Sequence, residues 1–126
     1  MTNLTPEMID AMEAGREMDR LISEKINIDG VKIEGDFPMW KYEASGKRRF
    51  FYPSTDIAAA WEVAQEYGIA IIPYGEDGET IIGYAAGQIT TWRKSEWIEF
   101  PASHFSYAPT APLAICRAAL KTIFIK

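Results

Sequence analysis

Apolar residues recur at helical spacing in three stretches of this 126-residue chain. Met18, Leu21, Ile22 and Ile26 fall at i, i+3, i+4 and i+8, one stripe with Arg16, Glu17, Arg20 and Glu24 outside it. Thr5-Pro6 reads as the N-cap and first position of a short preceding helix, which Gly15 separates from the next. Asp29-Gly30 reads as a turn. Val31 to Tyr52 is polar with scattered aromatics, which points to irregular structure or an edge hairpin around Ser45-Gly46.

The second stripe is Ile57, Ala60, Trp61 and Ala64, with Glu62, Gln65 and Glu66 toward water. Ser54 or Thr55 would cap this helix, Asp56 would sit in its first turn, and Gly68 would end it. Ile69–Tyr74 and Thr80–Ala85 flank Gly75-Glu76-Asp77-Gly78, a strong hairpin signal. Trp92 and Trp97–Phe100 indicate one or two more strands, and Phe105–Tyr107 another. In the third stripe Thr110 caps, Pro112 lies in the first turn, and Leu113, Cys116, Leu120 and Phe124 form the core side. The pattern predicts an α+β fold, an antiparallel sheet packed with three principal helices in a single domain over residues 1–126.

Composition narrows the chemistry. A net charge of −5 speaks against wrapping duplex DNA. No uncharged apolar run approaches the roughly 20 residues of a membrane span, and Met1 to Asp10 carries two acids with no apolar run to follow, unlike a signal peptide. One cysteine and one histidine leave no thiolate cage or histidine-rich zinc site, so no metal and no cofactor is expected. Cys116 reads as a small core hydrophobe rather than a nucleophile served by His104. Glu76, Asp77 and Glu79 read as solubilising turn residues rather than a catalytic pair. No residue is therefore assigned to catalysis.

Two features remain. Gly46-Lys47-Arg48-Arg49 before Phe50-Phe51-Tyr52 is the one basic-aromatic cluster. It is either a charged hairpin tip entering an apolar strand or a small nucleotide site in which cations meet phosphates and rings stack on bases. Arg117 is the one formally charged residue between Phe100 and Leu120, with Leu113, Ala114, Leu120 and Lys121 as its neighbours at helical spacing. A partly buried guanidinium needs an acid, with Asp56 a candidate, or a ligand anion.

Three segments carry a resemblance: AGREMDRLISEK at 14–25, STDIAAAWE at 54–62 and TAPLAICRAAL at 110–120. In that order, in a chain this short, they resemble the bacteriophage αβα-sandwich family, related to the NinX-like phage proteins. Its characterised relatives are signal-sponging Thoeris anti-defence proteins, which sequester cyclic ADP-ribose isomers, and in some cases cyclic oligonucleotides, without cleaving them. The resemblance implies a phage or prophage sponge for a cyclic nucleotide immune messenger, working in the host bacterial cytoplasm. It also implies a homodimer or higher homo-oligomer with pockets between subunits. Sixteen aromatic residues are many for a domain this small to bury alone, which fits association through the first helix and Val31–Phe51.

Such a ligand offers a purine face and a dianionic pyrophosphate, so its binder needs an aromatic wall, a guanidinium and neutral donors. Arg117, which matches a helix-borne arginine of the family motif, would supply the guanidinium. Trp92, Phe105 and Tyr107 can supply the wall, and Ser106 and Thr110 the donors, with Thr110 at a helix N-terminus. Two other readings stay open: a phage protein that inhibits a host protein by direct binding, and an enzyme that degrades the messenger.

Overall fold

The computed structural model describes residues 4–25, 31–33, 39–42, 48–75, 80–89, 91–92, 98–99 and 106–124. Its first helix, α1 (Pro6–Ala11), is short and starts as expected, with the Thr5 hydroxyl accepting from the Met8 N–H. Helix α2 (Arg16–Lys25) buries Met18 and Ile22 with Asp19 and Ser23, and leaves Arg20 and Glu24 in an exposed i,i+4 ion pair.

The region expected to be irregular or a single edge hairpin is a three-stranded antiparallel meander. It comprises β1 (Val31–Ile33), β2 (Met39–Tyr42) and β3 (Arg48–Phe50), with β2 pairing Lys32 through Trp40 and Arg49 through Lys41. Ser45-Gly46 lies outside the described residues. Basic residues interrupted the apolar alternation there, which hid the strands from the pattern.

Helix α3 (Ile57–Tyr67) departs from the expected phase. Asp56 itself is the N-cap, its carboxylate accepting from the Ala58 N–H. The buried side is Ala59, Ala60, Val63 and Ala64, while Trp61 is 52% exposed and Glu62 is half-buried. The reason is the neighbour. Helix α4 (Ala111–Phe124) packs on α3 and is itself rich in small buried residues, with Ala114, Ala118 and Ala119 all fully buried. Small against small brings two helices close, and a tryptophan in that seam would hold them apart. Gly68 ends α3 as expected, in the left-handed conformation with its N–H on the Ala64 carbonyl.

Strands β4 (Ile69–Tyr74), β5 (Gly83–Gln88) and β8 (Ser106–Ala108) form a second antiparallel sheet, in the order β4-β5-β8. The second strand begins later than predicted, so Ile81 and Ile82 precede it and stand exposed. Strands β6 (Thr91–Trp92) and β7 (Ile98–Glu99) pair as a separate two-stranded ribbon. The register places Ile69, Ile71, Ala86, Ser106, Tyr84 and Ala108 on one face, against α4, and Ile72, Ala85, Tyr74, Gly83 and Tyr107 on the other.

Helix α4 is the hub. It packs on β4, β5 and β8 as well as on α1, α2 and α3, and Leu113–Cys116 and Ala118–Lys121 are buried. A stripe was expected, but a helix wrapped on several sides must be apolar nearly all round. Arg117 and Lys121 are the two cations in this buried helix, and both are compensated by polar atoms.

Candidate functional site

Arg117 leaves the apolar body of α4 between the end of α1 and the sheet. Its Nε and one terminal nitrogen donate to the Met12 carbonyl at 3.4 and 3.0 Å, and its other terminal nitrogen donates to the Tyr107 carbonyl at 2.9 Å. Met12 is the C-cap of α1, so one bond set supplies a helix end with donors it lacks. Tyr107 belongs to β8, which ends the β4-β5-β8 order. Arg117 thus ties a helix end to the outer strand of a sheet.

The expected acid is not Asp56, whose carboxylate caps α3. No carboxylate among the described residues pairs with the guanidinium. Three carbonyl contacts satisfy hydrogen bonds without cancelling the charge, and among the described residues one N–H on each terminal nitrogen is left for another acceptor.

The Tyr107 ring lies on the outer face of the sheet and is 57% exposed. Tyr74 packs edge-on against it, centroids 5.5 Å apart at 88°. Tyr74 pairs across the strands with Gly83, where an added Cβ would come within 2.8 Å of the phenol oxygen, so a side chain there would push the ring away. In the sequence Tyr74 marks only the end of a strand, because its place beside Tyr107 depends on a pairing with β5 that fixes which face it takes. Thr110 is exposed just ahead of α4, and its carbonyl accepts from the Ala114 N–H as an N-cap residue's does.

The other expected site residues separate from these. Ser106 is 1% exposed on the α4 side of the sheet, opposite the Tyr107 ring, with no hydrogen-bond partner for its hydroxyl among the described residues. Alternation along a strand sends neighbours to opposite faces, so Ser106 and Tyr107 cannot line one wall. The Trp92 side chain and the whole of Phe105 lie outside the described residues. In the basic-aromatic segment, Phe51 is fully buried in the core, whereas Phe50 is exposed and stacks on Tyr52 at 5.2 Å.

A second polar centre lies inside the fold. Asp19, 3% exposed, accepts the Ser54 N–H at 2.7 Å, and Ser54 Oγ accepts the Gly15 N–H at 2.9 Å. Burial raises the Asp19 carboxyl above its ordinary value, against the lowering effect of the Ser54 hydrogen bonds. Cys116 is fully buried nearby. Burial first, and then the charge of Asp19, push its thiol well above the ordinary range, so it stays protonated and inert. This centre joins the three segments that carried the resemblance: Asp19 and Gly15 from the first, Ser54 from the second, Cys116 from the third.

The model of the phage ABA sandwich domain family matches residues 20–120. The chain belongs to this family of phage proteins. The sandwich resembles the 2.0 Å crystal structure of a phage protein from Bacillus cereus ATCC 14579, over 100% of this chain and 94% of that one. With 21% identity and a TM-score of 0.51, the likeness concerns the fold. No curated protein matches. None of the described helices is long and apolar enough to cross a membrane.

Proposed function

We propose that this phage ABA sandwich protein is a sponge. It would bind a cyclic nucleotide immune messenger of the cyclic ADP-ribose type in the host cytoplasm and withhold it uncleaved. The supporting observation is Arg117, a half-buried cation without a carboxylate among the described residues and with two N–H groups directed away from its carbonyl partners. A phosphate oxygen is the acceptor such a fork favours. The exposed Tyr107 ring, braced by Tyr74, offers a flat apolar surface on the same strand whose carbonyl Arg117 holds. Thr110 adds a hydroxyl donor near the start of α4. In this reading the remaining walls come from a second subunit, as the family resemblance implies.

The deciding experiment is retention and release. The protein is incubated with a cyclic ADP-ribose isomer, filtered, and then heat-denatured. A sponge depletes the filtrate and returns the same molecule on heating. A new product would mean an enzyme.

A second reading has its own support. Ile72, Tyr74, Ile81, Ile82 and Tyr107 are exposed around the outer face of the β4-β5-β8 sheet, an apolar surface of the kind that docks a host protein. An untouched filtrate with every cyclic nucleotide would favour that reading.

A further inference from the structure

Arg117 and Lys121 stand one turn apart on α4, and the same short helix engages both. Arg117 donates to the Met12 carbonyl, and Lys121 Nζ lies 2.8 Å from Asp10 Oδ1. Asp10 is in the last turn of α1 and Met12 is its C-cap, so α1 presents α4 with a carboxylate and a carbonyl across one helical turn. Lys121 is only 3% exposed, and a charge that deep needs a counter-charge. Asp10 supplies it from an unfavourable place, because an acid at a helix C-terminus opposes the helix dipole.

Among the described residues, the apolar contacts that fix α1 are those of Ile9 and of the partly buried Leu4 and Met12 at its ends. Its six residues are too few for a helix that stands alone, and Ile9 is its one buried side chain. Glu13 and Ala14 are exposed, and the chain is gripped again at Gly15, by Ser54. A short segment held by one fully buried side chain, the partly buried Leu4 and Met12 at its ends and two polar contacts is the kind that opens before the core does.

We propose that α1 is a built-in competitor for the anion site: its Asp10 and Met12 oxygens hold Lys121 and Arg117 until a diphosphate displaces them. This rests on the reading that Arg117 serves an anionic ligand. Two cations at i and i+4 suit two linked phosphates, and the internal carboxylate stands in for one of them. Affinity for the ligand is then reduced by the fraction of molecules with α1 docked.

The test uses the full chain and inorganic pyrophosphate, with titration calorimetry for affinity and hydrogen exchange for α1. The reporting amides are those of Ile9 and Met12, bonded to the Thr5 and Ile9 carbonyls. Asp10→Asn should bind pyrophosphate about three- to tenfold more tightly. Saturating pyrophosphate should speed exchange at both amides, in the unaltered protein as well as the variant. Binding with unchanged or slower α1 exchange, or no gain in the variant, overturns the latch and leaves the sponge reading standing. Retention of a cyclic ADP-ribose isomer without pyrophosphate binding does the same. Failure to bind either molecule removes both.

Discussion

Asp19 and Arg117 are both drawn into this fold, and they are treated in opposite ways. Asp19 is enclosed, its neighbours are a backbone N–H, a serine hydroxyl and a thiol, and its carboxyl is pushed up toward the neutral form. Arg117 keeps its charge at the margin of the core, spread over two carbonyls from separate elements. The first is tolerated because it clasps α2 to the turn before α3. The second is tolerated because it stays within reach of water. A charge that can be neutralised by a proton can go deeper than one that cannot.

The contrast can be broken at several points, the largest effect first. Native-state alkylation of Cys116, followed by mass spectrometry at pH 8, should be slower than in urea by orders of magnitude, since the thiol beside Asp19 is reached only on opening. Rapid labelling would mean the Asp19 centre is wet. Arg117→Ala should lower the unfolding free energy in urea by about 2–3 kcal/mol, because charge-assisted bonds to two elements are lost. Its retention of a cyclic ADP-ribose isomer should fall more than about tenfold. Arg117→Lys should recover part of each, as it keeps the charge but not the fork.

Ser54→Ala removes the acceptor of the Gly15 N–H and should cost about 1–2 kcal/mol, with ligand retention unchanged. Asp19→Asn should act in the other direction and least of all. The amide oxygen still accepts the Ser54 N–H, while the buried charge is gone. The folded-state pKa of Asp19 is raised, so its contribution is fully present below the ordinary value of 3.8 and is lost as pH rises through the raised value. The variant should therefore gain on the unaltered protein as pH rises from 4 to 7, in parallel urea titrations. A variant that loses stability across that range would show that the carboxylate is held charged.

What was legible follows from the same physics. Helices α2 and α4 and the β4–β5 hairpin announced themselves through spacing and turn residues. Arg117 stood out as a lone cation, but its partners did not, since main-chain carbonyls leave no mark in a sequence. Asp19 was invisible as a buried group. Its partner Ser54 is 35 residues away, and a carboxylate on a helix carrying Arg16, Glu17 and Arg20 reads as one more surface charge. The phase of α3 misled for a different reason: the bulkier Ile57 and Trp61 drew the stripe, whereas close contact with an alanine-rich helix selects the small residues.

The central position of α4 also sets a timetable. A ribosome delivers this helix after every element it packs against, so until it emerges α1, α2, α3 and the β4–β5 hairpin have no α4 to pack on. Ile9, Met18, Val63 and Ile69 remain without their α4 packing until Leu113–Leu120 emerges. The nascent chain must carry that unfinished surface until α4 is made, and its folding as a unit waits on that one helix rather than passing through a sequence of stable stages.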